Sequence, residues 1–271
     1  MSEPKISIIT ATYNNGEFLA DTIRSVLGQT YTNWEWIAVD NGSIDETQKI
    51  FSTYKDDRIN YIRLPSNLGV SGGRNRALME ASGEFICFLD GDDLLPSESL
   101  KSRAQVLITE VDVDFVDGSV YSFTHTPSEL TLEHKPSFSG NPLNELLNLN
   151  PNVFFGSTWM YRRKPTAYKF LDGMSHAEDL LFYISISNNG LYSHTDGCVL
   201  HYRRHQRSAM KNLDGLYAGY KVLIREVNKL EFVRPDQVVL LKRKVRSIMI
   251  KSFLRRMRFG QALRVLVERF D

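Results

Sequence analysis

Short apolar runs alternate with helix-like stretches from the start of the chain. Ile6-Ser7-Ile8-Ile9-Thr10, Trp36-Ile37-Ala38-Val39, Asn60-Tyr61-Ile62-Arg63 and Phe85-Ile86-Cys87-Phe88-Leu89 are β-prone, and each gives way to a polar or turn-prone group. Between them, residues 17–27 carry Phe18, Leu19, Ile23, Val26 and Leu27 at helical spacing and stop at Gly28; residues 45–54 and 70–82 are helix-like as well. The order β-α-β-α-β-α-β predicts an α/β fold with right-handed crossovers and a mostly parallel sheet covered by helices. Ligands of such sheets bind outside the carboxyl ends of the strands, so the polar residues that follow each run are expected to converge.

From about residue 110 the pattern loosens into shorter apolar runs and polar loops, with prolines and serines through 124–152. The segment from Leu216 onward is helical in pattern, broken near Arg234-Pro235-Asp236. These shifts divide the chain into residues 1–215, with halves 1–105 and 106–215, and a helical extension over 216–271.

Composition narrows the picture. At 271 residues, 42% hydrophobic and 24% charged, the chain is long enough for one large domain or a domain with an appendage, and it is not expected to be disordered. Two cysteines, Cys87 and Cys198, are too few for a disulfide framework and lack zinc-site spacing, which fits a reducing, cytoplasmic setting. No basic-then-apolar leader and no window near the roughly 18 to 20 apolar residues of a membrane span is visible, so a soluble or peripheral protein is expected. The net charge of +1 hides a polarity: residues 1–200 hold 15 Lys/Arg against 26 Asp/Glu, and residues 201–271 hold 18 against 6.

The densest chemistry follows the fourth strand. Asp90, Asp92 and Asp93 are held close together at a strand mouth, where like charges repel. A divalent cation relieves that repulsion. Hard oxygen ligands suit Mn2+ or Mg2+, which bind a diphosphate and stabilise it as a leaving group. The bland alternative is a solvated turn or cap before a helix over 96–108. Two further strand mouths line the same edge, at Thr10-Ala11-Thr12-Tyr13 and at Val39-Asp40-Asn41-Gly42. There Asp40 and Asn41 suit hydrogen bonds to a nucleobase or ribose, Tyr13 suits stacking on the base, and Arg74 suits a phosphate. Asp45 and Gly42 read as a helix cap and a turn. The glycine-rich run Asn67 to Arg76 precedes a helix without the spacing of a P-loop or dinucleotide fingerprint, and would let backbone amides approach an anion.

Residues 7–14, Gln29-Thr30-Tyr31, residues 39–45, 67–75 and 90–93 together resemble the family 2 glycosyltransferases. The resemblance continues through Ser175-His176-Ala177-Glu178-Asp179-Leu180 and the basic loop Tyr202-Arg203-Arg204-His205-Gln206-Arg207-Ser208. It implies a GT-A fold, Rossmann-like, with residues 1–105 as the nucleotide-sugar-binding half and 106–215 as the acceptor-binding half. It also implies direct displacement at the anomeric carbon with inversion, in which Asp179 deprotonates the acceptor hydroxyl. The donor site it implies comprises Thr10, Ala11, Tyr13, Asp40, Asn41, Arg74, Asp90, Gly91 and Asp92, with Asp92, Asp90 and His205 toward the metal. Arg203, Arg204 and Arg207 are suited to balance phosphate charge. One departure concerns Asp40-Asn41, where many relatives carry two acids, which bears on the expected preference for a UDP-sugar. Read without the family, Glu178 and Asp179 are first-turn acids favoured by a helix dipole. His176, Trp159 and Tyr161 are either core or contacts to a sugar face.

The expected partners are a nucleotide-sugar donor and a glycan or lipid-linked acceptor. The tail adds a further possibility: residues 242–269 contain ten Lys/Arg interleaved with Ile248, Met249, Ile250, Phe253, Leu254, Leu263, Val265, Leu266 and Val267. Such a helix either lies on an anionic membrane from the cytoplasmic face or packs its apolar side on the domain. Nucleic acid is not an expected partner, because the tail has little aromatic interleaving and the main body is acidic. Two other readings compete: a sugar nucleotidyltransferase, whose usual Gly-rich, Arg-Lys-containing N-terminal signature is missing here, and a non-catalytic nucleotide-sugar or glycan binding module, against which Asp90, Asp92 and Asp179 argue.

Overall fold

A computed structural model describes residues 3–165, 168–205 and 211–268. The first half realises the predicted alternation: β1 (Ile6–Thr12), α1 (Gly16–Leu27), β2 (Trp34–Asp40), α2 (Thr47–Thr53), β3 (Ile59–Arg63), α3 (Gly69–Leu78), β4 (Phe85–Phe88) and α4 (Ser99–Thr109). There follow β5 (Phe115–Phe123), β6 (Thr131–His134), α5 (Leu143–Leu147), β7 (Met160–Arg162), α6 (Glu178–Ile186), β8 (Tyr192–Arg203), α7 (Leu213–Val227), α8 (Pro235–Arg255) and α9 (Phe259–Val267). The sheet order is β3-β2-β1-β4-β7-β5-β6, with β8 also paired to β5. Strands β1 to β4 pair in parallel, β7 is antiparallel to β4 and β5, and β8 runs parallel to β5. The result is a mostly parallel mixed sheet of the GT-A type with C-terminal helices.

Both faces of this sheet are covered, which is why its strands are apolar without alternation. Ile8, Trp36 and Cys87 share a row in the register and face α1 and α4, packing with Leu19, Ile23, Leu100 and Ala104. Ile9, Ile37 and Phe88 form the next row and face the opposite way, into a core shared with α3, α6, α7 and α8.

The tail resolves one of the two readings left open. Val238, Leu241, Val245, Met249 and Phe253 make a stripe along α8 that is buried in this second core. At about 1.5–3 kcal/mol per buried side chain, five such residues contribute on the order of 10 kcal/mol, comparable with the whole stability of a domain. The apolar face of α8 is thus part of the fold. A second helix break, at Met257 with φ +57°, separates α8 from α9 and was not legible in the periodicity. Among the described residues, no helix is long and apolar enough to cross a membrane.

One strand and one helix in the loosely patterned region matter for the site. β8 pairs along β5, and an antiparallel bridge between Leu94 and His201 lays its end along the turn that follows β4. α6 starts directly after Ala177, which sits in the left-handed region at φ +59°.

Candidate active site

The turn after β4 is pinned from two sides. A β-carbon on Gly91 would fall 2.5 Å from Thr12 Oγ1 and 2.9 Å from Asn15 Nδ2, so only glycine lets the turn lie against the end of β1. On the other side, Arg203 at the end of β8 donates its backbone N–H to Asp93 Oδ1 (2.8 Å) and its Nε to the Asp92 carbonyl (2.8 Å), while Nη2 reaches Asp21 (3.1 Å). Its guanidinium also lies over the rings of Phe18 and Phe123, at 4.9 and 4.6 Å from their centroids. Buried Asp93 therefore anchors the turn. His205, two residues past Arg203, puts Nε2 2.7 Å from Asp92 Oδ2, with its ring 4.9 Å from that of Phe18.

Asp92 is half-buried and close to other carboxylates. Burial pushes its carboxyl above the ordinary range, with the charge of Asp90 adding to the effect and His205 opposing it. Asp93 is pushed up by burial and then by Asp92 and Asp90. An excess of negative charge at a half-open mouth is what a divalent cation would neutralise, and Asp92 with Asp90 and His205 supplies oxygen and imidazole donors for it. Among the described residues, no three such groups already converge at ligand spacing. The residues fit a Mg2+ or Mn2+ ion that takes one or two protein ligands and completes its shell from a diphosphate, rather than one held in an all-protein cage.

Arg74 connects this mouth to the start of α6. It is 3% exposed, donates from Nη2 to Asp90 (2.8 Å) and from Nη1 to Glu178 (3.1 Å), and lies over the rings of Phe88 and Phe170. Burial works against its charge, but Asp90, Glu178 and Asp179 outweigh that and hold the guanidinium's pKa above its usual value. Asp179, next in sequence to Glu178, accepts a hydrogen bond from the backbone N–H of Leu180 (2.7 Å). Burial pushes its carboxyl up to about 7, Glu178 adds to the rise, and Arg74 opposes it. A carboxyl poised near neutrality suits a proton acceptor.

The other two mouths are organised more tightly than their sequence suggests. Asp40 is fully buried: Oδ1 accepts from Ser43 N–H (2.8 Å) and Oδ2 from the Tyr61 hydroxyl (2.6 Å). Asn41 donates to the Gly69 carbonyl (2.7 Å) and accepts from Leu68 N–H (3.1 Å). Thr10 donates its hydroxyl to Leu89 O and accepts from Trp36 Nε1, within the sheet. Ala11 is half-buried and Tyr13 exposed at the rim. Gly72 and Gly73 of the glycine-rich run lie inside α3 rather than ahead of it; a β-carbon on Gly73 would sit 2.8 Å from that of Ala11, so the glycine serves close helix-to-strand packing.

Comparison with known proteins decides the family. The family model described as Glycosyl transferase family 2 matches residues 7–168. The chain belongs to this family. A Bacillus subtilis protein named as a teichuronic acid biosynthesis glycosyltransferase, TuaG, is 27% identical over 86% of this chain and 92% of its own length. The Escherichia coli UDP-Glc:alpha-D-GlcNAc-diphosphoundecaprenol beta-1,3-glucosyltransferase WfaP is 28% identical over 84% and 86%. Among solved structures, S. aureus TarS 1–349 in complex with UDP-GlcNAc superposes with a TM-score of 0.72 at 22% identity, covering 92% of this chain and 73% of that one. The mannosyltransferase PcManGT of Pyrobaculum calidifontis, with GDP-Man and Mn2+, gives 0.67 at 16% identity, covering 98% and 81%. These two likenesses establish the shared fold.

The match to the glycosyl transferase family 2 model ends before Asp179 and His205, and in this family 2 chain it is the geometry that brings them to the strand mouths. Trp159 and Tyr161 are buried in the core, with Trp159 Nε1 donating to Val153 O, and His176 is buried beneath α7. Arg204 pairs with Glu133, and Arg207 lies outside the described residues. Sequence reasoning had Arg74 and Arg203 facing phosphate; it missed that both tie carboxylates of the site into the scaffold. No spacing signal announces such contacts, because the partners are 104 and 110 residues apart.

Proposed function

We propose that the protein transfers a sugar from a nucleoside diphosphate donor, of the UDP-sugar class, to a glycan or lipid-linked acceptor of cell-surface polysaccharide assembly, with inversion. The observation that carries this reading is the half-buried Asp179 carboxyl, raised to about 7 and next in sequence to Glu178, which Arg74 ties to the acidic mouth at Asp90. The relatives support the substrate classes: TuaG by its assignment to teichuronic acid synthesis and WfaP by its UDP-Glc donor and diphosphoundecaprenol-linked acceptor.

In this mechanism the Asp179 carboxylate accepts the proton of the acceptor hydroxyl, whose oxygen forms the new bond to the anomeric carbon. The bond from that carbon to the diphosphate breaks, and the electron pair leaves with the nucleoside diphosphate. Asp92, Asp90 and His205 would hold a Mn2+ or Mg2+ ion whose Lewis acidity stabilises the leaving diphosphate. Thr10, Ala11, Tyr13, Asp40, Asn41, Arg74 and Gly91 shape the donor side: Tyr13 is free at the rim to stack on a base, while buried Asp40 and Asn41 set the backbone beneath it.

Two variants test the roles. Asp92→Ala should lose divalent-metal-dependent donor turnover, and chelation of wild type should do the same. Asp179→Asn should keep donor binding by calorimetry while transfer falls by at least about a hundredfold. Full activity in either variant removes the role assigned to that residue.

A further inference from the structure

Among the described residues, the α8–α9 corner carries an apolar surface left uncovered. α9 attaches to the protein through Ala262 and Val265, both buried. Phe259, Leu263 and Leu266, at spacings that place them on one helix face, point away from that contact and are 62%, 62% and 57% exposed; neighbouring Val267 is 71% exposed. Leu254 and Met257 extend the patch onto the corner. Six of the sixteen exposed large hydrophobics among the described residues thus fall within 254–267. Single exposed apolar residues are ordinary, whereas a contiguous group marks a contact surface.

The charge around the patch selects what covers it. Residues 251–268 hold five Lys/Arg and one acid, and Lys251, Arg255, Arg256 and Arg264 are exposed. A two-fold contact with a second copy would bring these same cations together. An anionic lipid surface meets both features, since acyl chains take the apolar face and headgroups the arginines.

The patch also connects, through α7, to the segment that leads into α6. Arg258, which caps the start of α9, pairs with Asp214 at 2.7 Å. The next residue, Gly215, backs onto the His176 ring, and Gly219 onto the His176 carbonyl; their added β-carbons would fall 2.5 and 2.4 Å from it. His176 stands three residues before Asp179 in sequence. We infer that the outward face of α9, with the cations of the α8–α9 corner, seats the protein on an anionic membrane with the Asp179 side turned toward the lipid. This rests on the lipid-linked acceptor proposed above, and it assigns the contact to α9 because the stripe of α8 is buried.

Vesicle flotation of the full chain tests it. The protein should float with phosphatidylglycerol-containing vesicles and not with pure phosphatidylcholine vesicles. Leu263→Glu with Leu266→Glu should abolish flotation while UDP binding and thermal melting stay as in wild type. Arg255→Gln should weaken binding about fivefold, as expected for one cation removed from an anionic surface. Equal binding to both vesicle types, or undiminished flotation of the double variant, overturns the inference. So does a wild-type dimer in sedimentation velocity that the double variant breaks, which would assign the face to a second copy. Flotation of a protein that transfers no sugar to any lipid-linked acceptor would keep the surface and remove the catalytic reading instead.

Discussion

Glu178 and Asp179 are adjacent on α6 but differ in environment: buried Glu178 faces the Arg74 guanidinium, while half-buried Asp179 has a backbone N–H and more distant charges for compensation. This difference gives two predictions at the scale of the residue. As the proton acceptor, Asp179 must be ionised, so kcat/KM should rise with pH through about 7. Glu178→Gln removes a neighbouring negative charge and should move that acidic limb to lower pH in a kcat/KM–pH profile. The same carboxyl affects stability. Its pKa is raised from an ordinary 3.8 to about 7 on folding, so the native state binds the extra proton and is favoured below 3.8; that advantage is lost as pH rises through about 7. Asp179→Asn should therefore stabilise the fold more above neutrality than below it. Thermal melting at about pH 8 and about pH 5 checks it, with the larger gain expected at the higher pH.

At the scale of elements, the site is a set of turns clamped by segments remote in sequence. The Asp90 to Asp93 turn depends on β1 beneath Gly91 and on the end of β8 above, where Arg203 binds Asp93, Asp92 and Asp21. Gly91→Ala should leave the protein folded but push the turn off Thr12, and a metal titration of activity should show the midpoint moved to higher concentration by about tenfold or more, the effect of roughly 1.4 kcal/mol. The turn and its acids were legible in the sequence as a polar group after an apolar run, and so were Asp40, Asn41 and Asp179 as candidates. Their partners were not. Asp40 is bound by Tyr61 and Ser43, and Asp90 by Arg74, through contacts that exist only once the strands are in register. β8 was hidden because its burial is mixed along its length, with neither a clean alternation nor an unbroken apolar run.

At the scale of the whole molecule, the C-terminal helices belong to the same core as the sheet. Leu241 and Met249 of α8 share a cluster with Ile9, Phe88 and Leu180. Leu241→Ala should cost about 2–5 kcal/mol in urea unfolding, as for a core residue, and should do so in a single transition with the catalytic half. The sequence by itself determined the alternating strands and helices, the edge at which polar turns gather, and the family to which those motifs point, because these depend on periodicity and on residue types close together along the chain. The tertiary structure alone decided that Arg74 and Arg203 tie the acids to the scaffold, that Asp179 is raised toward neutrality, and that the tail divides into a buried α8 and an outward α9. Those outcomes depend on burial and on charges brought together across more than a hundred residues, which no local pattern records.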